Sequence, residues 1–165
     1  MEDNIYKGFV SFIKQYFDLA VLQGLQNRSA LIKNCIIITF LNKKVLGTPI
    51  SRIEHEYETE IVGPQVIARY QIDVFGDNAY NNISRLRTLL SHEKAIKHFR
   101  EYNFAPIVIT DIKNLTASTI VNEEYFRRYS MDINTSYRDN TSIDIRFIDD
   151  ININTLEVAN GIINE

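Results

Sequence analysis

Between Ile53 and Val74 the chain alternates between two kinds of residue with a period of two, and the pattern is interrupted once, at Gly63-Pro64. Before the interruption Ile53, His55, Tyr57, Thr59 and Ile61 share one phase. After it Val66, Ala68, Tyr70, Ile72 and Val74 share one phase. Successive side chains on a strand point to opposite faces, so this period specifies two half-buried strands and excludes an amphipathic helix. Glycine followed by proline is turn chemistry. The pattern therefore predicts a hairpin about Gly63-Pro64, with Ile61 opposite Val66, Tyr57 opposite Tyr70 and Glu58 opposite Arg69. In that register one face is a core face. The other carries Glu54, Glu56, Glu58 and Glu60, relieved by Arg69 alone.

The flanks decide how such a hairpin is covered. From Ile5 to Gln23, residues Ile5, Phe9, Phe12, Ile13, Tyr16, Phe17 and Ala20 fall on one face of a 3.6-residue helix, which predicts an N-terminal helix over 5–23. "CIIITFLN" from Cys35 is short and β-branched and predicts a strand. Lys43–Ser51, with Gly47 and Pro49, reads as a loop. Asp77 is placed to cap a helix in which Ala79, Ile83, Leu86 and Leu90 form a narrow apolar stripe. Ser91 is placed to cap a second, or to mark a break in one helix; beyond it one face holds Ala95, Ile96, Phe99 and Tyr102 and the other Lys94, Lys97, His98 and Glu101. "APIVITDI" (Ala105–Ile112) reads as a strand and Lys113–Val121 as a loop. Glu123–Tyr137 and Thr141–Asp149 read as a second hairpin about Arg138–Asn140. The order predicts an α+β fold, a mainly antiparallel sheet with helices packed on one face. A chain of 165 residues is expected to form one domain: helix 5–23, an α+β core over 35–149 and a tail over 150–165.

Composition adds exclusions more than assignments. Net charge is −3, so the chain as a whole is no polyanion binder. The single cysteine, Cys35, sits in an apolar run and fits folding in a reducing cytosol. The N-terminus does not read as a secretory signal, and no apolar run is long enough to cross a bilayer, so no membrane partner is expected.

Catalytic constellations are sparse. His55-Glu56 begins like a zinc-protease motif, but Thr59 stands where the second histidine belongs and the phase is that of a strand. His92 and His98 are six apart on a helix and read as solvent-facing. Glu54 and Asp73, facing each other in the predicted register, are the carboxylates that would hold magnesium in a small nuclease-like enzyme, but no lysine follows either at nuclease spacing. Lys94 and Lys97, with arginines nearby, offer a basic helix face to a nucleic acid. The neighbours Arg127 and Arg128 fall in opposite phases of a strand, so one must lie on the less apolar face or at an interface. No catalytic residue, metal or cofactor is assigned.

Four segments in order carry a likeness: "QIDVFGDNA" (Gln71–Ala79), "ISRLRTLL" (Ile83–Leu90), "APIVITDIKNL" (Ala105–Leu115) and "EEYFRRYSMDINTSY" (Glu123–Tyr137), the last containing "RRYSMD" (Arg127–Asp132). The stretch from Glu54 to Phe147 resembles the tailed-phage neck (tail) terminator family. The resemblance implies a structural virion protein without catalytic residues. It implies a homo-oligomer, a six-membered ring, that caps the tail tube protein and docks to a head-tail connector or head completion protein while DNA passes through. It also implies assembly in the host cytoplasm and a final place in the virion.

The four glutamates then admit three roles. Alternate strand residues lie about 7 Å apart, where like charges in water repel by roughly half a kcal/mol, which a monomer tolerates. The row can line the channel and keep DNA from sticking. It can face a basic patch of a neighbouring subunit, such as Lys94, Lys97 or Arg128. Or it can guard a solvated sheet edge against aggregation.

Overall fold

The computed structural model describes residues 2–25, 33–54, 59–116, 120–121, 124–125 and 127–144. In chain order α1 (Glu2–Lys14) leads to β1 (Ala20–Gln23), the long strands β2 (Cys35–Glu54) and β3 (Thr59–Phe75), and the helices α2 (Ala79–Leu90) and α3 (Glu93–Arg100). Then come β4 (Phe104–Ile109), β5 (Lys113–Asn114), β6 (Ile120–Val121), β7 (Glu124–Tyr125), β8 (Arg128–Arg138) and β9 (Thr141–Asp144). The main sheet runs β1-β2-β3-β8-β4, with β5 on β8 and β9 on β3, while β6 and β7 pair apart. Every pairing is antiparallel except β1 with β2. The fold is α+β, as the alternation and helix stripes predict.

β3 organises the sheet because it is hydrogen-bonded on both sides along its length. Its even residues Val66, Ala68, Tyr70, Ile72 and Val74 are buried, and so are their β8 partners Met131, Ile133, Thr135 and Tyr137. All three helices lie against this face. Phe9 of α1 is the hub: its ring centroid is 5.6 Å from Tyr70, 5.3 Å from Phe99 and 5.3 Å from Phe104. The α2 stripe Ala79, Ile83, Leu86 and Leu90 is wholly buried, which is why the sequence places this helix correctly.

Several expected elements are different. The helix predicted over 5–23 ends at Lys14, and Ala20–Gln23 is a strand paired to Cys35–Ile38. A short run of Leu and Val finds an open sheet edge there, and that pairing overrides helical periodicity. Asp77 is not the cap of α2: the N-cap is Asn78, without a side-chain bond. Nor does Ser91 cap α3. Its hydroxyl bonds back to Arg87 O, and His92 caps α3 by accepting from Lys94 N at 3.2 Å.

The largest revision concerns Gly63-Pro64. No turn occurs there; both residues lie inside β3. Ile61 pairs with Arg52, Val66 with Val45, Arg69 with Asn42, and Tyr70 with Phe40. The segment Lys43–Ser51, expected as a loop, belongs to β2. Gly47, Thr48 and Pro49 bulge opposite Pro64 alone, since Leu46 pairs with Gln65 and Ile50 with Gly63. Proline has no N–H to give the ladder, and a bulge absorbs the missing bond. The chain reverses instead between Glu54 and Thr59, at residues outside those described.

The expected second hairpin is likewise replaced. β9 pairs with β3, not with β8. Gln65 pairs with Arg138 and Val62 with Thr141, three steps on each strand, so β8 and β9 continue one register along the same edge. The joint between them, Asp139-Asn140, lies beside Gly63-Pro64, where Asp139 N donates to Pro64 O at 3.2 Å. A Cβ on Gly63 would come within 3.0 Å of Asn140 Cα. Glycine is required by this close approach, not by a turn.

Removing the hub side chain should therefore cost far more than trimming an exposed strand residue. Phe9→Ala is expected to lower unfolding free energy by about 3–5 kcal/mol, and Ile50→Ala by less than about 0.5 kcal/mol, in urea denaturation. Equal effects would contradict this core assignment.

Candidate functional site

The odd residues of β3 take the sheet face opposite the helices. They form a polar sheet face built on two buried carboxylates. Asp73, 3% exposed, accepts from Arg128 through Nε and Nη2, both at 3.1 Å, and from Gln71 Nε2 at 3.0 and 3.1 Å. The Arg128 guanidinium also lies 5.5 Å from the Phe75 ring centroid. Asp132, 5% exposed, accepts from Arg69 Nη2 and has Lys113 Nζ at 3.7 Å. Thr110 fixes the Asp132 backbone by donating its N–H at 2.9 Å and accepting at Oγ1 at 2.8 Å. Strand pleating brings these groups together, because Phe75 pairs with Arg128, Asp73 with Ser130 and Gln71 with Asp132.

Beyond this face the sheet extends as an arm made of distal β2, proximal β3 and β9. Large apolar residues stand open on it: Val45 is 53% exposed, Ile50 58%, Ile53 46% and Ile143 47%. Ile53 and Ile143 flank Glu60 on one face of the arm, while Ile50, opposite Gly63, stands on the other. Opposite β3, the outer backbone edge of β2 beyond Ile38 has no described partner strand.

The expected site residues scatter. Glu54 ends β2 opposite Thr59, whereas Glu60 lies in β3 opposite Ile53 and Ile143. Glu56 and Glu58 lie outside the described residues, as does His55. Glu54 and Glu60 thus stand on different strands, so the four glutamates do not make one row along a single strand. Glu54 and Asp73 do not face each other: Asp73 pairs with Ile37 and Ser130. Lys97 pairs with Glu93 at 2.7 Å on the exposed side of α3, and Lys94 is exposed beside it, far from the acidic reversal in the fold. Arg127 donates to Asp77 O at 3.1 Å and ties the start of β8 to the turn after β3. Arg128 alone belongs to the polar face. His98 is not solvent-facing: its ring lies between α1 and α3, with Nε2 3.3 Å from Gly8 O and Nδ1 3.4 Å from Gln15 Nε2.

No group of three or more His, Cys, Asp or Glu suited to a metal occurs among the described residues. A cavity of about 290 Å³ between the α2–α3 corner and β4 is lined by Arg87, Leu90, Ser91, Ile96, Pro106 and Ile107, and Arg87 is held there by Thr110 O at 3.2 Å. It offers no acid–base pair. No described helix is long and apolar enough to cross a membrane.

The ion pairs make a stability prediction. Arg128→Met leaves Asp73 buried without its cation and should cost about 3 kcal/mol, while adding Asp73→Leu should restore most of it. Denaturation of both variants checks this, and a double variant no more stable than the single one would contradict it.

Comparisons with known proteins follow the fold. Among solved structures the chain is similar to a sheath/tube terminator in the extended state, from the cryo-EM structure of an extracellular contractile injection system, PVC. The TM-score is 0.57 at 10% identity, over 88% of this chain and 59% of that one, so this chain spans less than two thirds of that terminator's length. No curated protein matches the sequence. The family model described as phage neck terminator protein matches residues 3–160. By that match over nearly its whole length, the chain belongs to the phage neck terminator family.

Proposed function

We propose that this protein is a single-domain structural component of the phage neck. It closes the tail tube as a homo-oligomeric ring, a hexamer, meets a head-tail connector or head completion protein on its other side, and lets DNA pass through its centre. It assembles in the host cytoplasm and remains in the virion. The family match over residues 3–160 carries this reading. The fold supports it: a rigid two-layer body presents a long arm with exposed aliphatics and an open strand edge. Such surfaces are covered on assembly in proteins that act by binding their own kind.

Within this reading the acidic residues of the β2–β3 reversal act at a subunit or partner contact. A continuous channel wall needs a row of carboxylates, and Glu54 and Glu60 stand on different strands. Reversing Glu56 and Glu58 to lysine should block ring assembly, or joining of heads to tails, read by light scattering of the purified protein and by counts of joined particles. Intact joined particles with slowed DNA ejection would instead place these acids on the channel.

A further inference from the structure

The sheet face turned away from the helices is basic, although the chain as a whole is acidic. Between Ile61 and Phe75 of β3, the register places six cations on it: Lys44 opposite Ile67, Arg52 opposite Ile61, Arg69, Lys113 opposite Ser130, Arg128 opposite Phe75, and Arg138 opposite Gln65. Against them stand two carboxylates, Asp73 and Asp132, both buried beneath Arg128, Arg69 and Lys113. Lys44, Arg52 and Arg138 are exposed, and no described acid bonds to them. The buried acids answer the cations at one end of the band. The surplus lies along the arm at Arg138, Lys44 and Arg52, short of the tip, where Glu54 and Asp144 pair with Thr59 in the same phase.

The chain contains a segment of matching character. Residues 145–165 hold Asp149, Asp150, Glu157 and Glu165 against Arg146, four acids to one base, with Phe147, Ile148, Ile151, Ile153 and Leu156 among them. Of the arm's exposed aliphatics, Ile50, opposite Gly63, shares the phase of these cations, whereas Ile53, opposite Glu60, takes the other face. Topology sets where this segment departs. β9 runs antiparallel to β3 and reaches Asp144 opposite Thr59, the first residue of β3. At about 3.4 Å per residue, that point is about 20 Å beyond Gln65 and two residues past the Arg52–Ile61 pair, at the end of the band and heading away from the body. Twenty-one extended residues reach about 70 Å, enough to cross to another molecule.

We propose that residues 145–165 of one copy dock on the basic sheet face of a second copy, with acids on Lys44, Arg52 and Arg138 and apolar side chains on the arm. This rests on the reading of the protein as a homo-oligomer. It assigns the contact that reading leaves open.

The test uses the full chain. Benzoylphenylalanine placed at Gln65, in the middle of the band, is mixed with ¹⁵N-labelled unmodified protein and irradiated, and cross-linked peptides are read by mass spectrometry. Mass photometry of the same sample reports the oligomer. The expected product joins Gln65 of an unlabelled copy to a ¹⁵N-labelled peptide within 145–165. Its yield should fall at least about fivefold at 1 M salt, where the Debye length shrinks to about 3 Å, and equally in the triple variant Lys44→Glu, Arg52→Glu, Arg138→Glu. Products joining Gln65 only to the same copy's tail, or to residues 54–60 of a neighbour, would overturn the inference. So would the absence of any product. An oligomer seen with no tail product refutes the docking and leaves the ring reading standing, so the two fail separately.

Discussion

Two neighbours pair with β3 along nearly its whole length, and this shared strand makes the two faces of the protein unlike. Pleating sends Val66, Ala68, Tyr70, Ile72 and Val74 to one side, where α1, α2 and α3 bury them around Phe9. It sends Arg69, Gln71 and Asp73 to the other, where β8 answers with Arg128 and Asp132. Neither face could form without a fixed register, since a slip of one residue would exchange the two sets. The ion pairs hold that register from the polar side as the aromatic cluster does from the core side. Buried charges favour one arrangement mainly because the alternatives strand them.

The strand outruns the helices, and that produces the arm. Where the core ends, β3 carries Gly63-Pro64, β2 bulges at Gly47–Pro49, and β8 gives way to β9 at Asp139-Asn140. Three irregularities at one level of the sheet let the arm change its twist without losing its pairing, which is how bulges work in sheets elsewhere.

Much of the fold was legible in the sequence, and the misses share a cause. The α2 stripe, the break between the two helices and the alternation after Pro64 were all decided by local chemistry, and each is found. Gly63-Pro64 reads as a turn in the sequence because glycine and proline have two uses in sheets, in reversals and at ladder defects, which only the partner strands distinguish. The same ambiguity turned Lys43–Ser51 into a loop. Ala20–Gln23 kept a helical phase by coincidence, and an edge provided by Cys35–Ile38 claimed it. The glutamates attracted notice as a row. The charged face that the structure shows was present as Arg69, Gln71 and Asp73 in one polar phase and Arg128, Ser130 and Asp132 in another. No sequence rule joined the two phases, because their meeting depends on a register between strands more than fifty residues apart in the chain.

Family membership makes the chain a phage neck terminator, and its fold offers a charged sheet face free of helices, an open strand edge and an arm of exposed aliphatics. The most direct measurement is a cryo-EM reconstruction of the phage neck at side-chain resolution. It should show copies of this chain in a ring on the last layer of the tail tube, with the helix-free face and the arm both covered by neighbouring protein. A neck in which this chain is absent, or present with that face and arm open to solvent, would contradict the account.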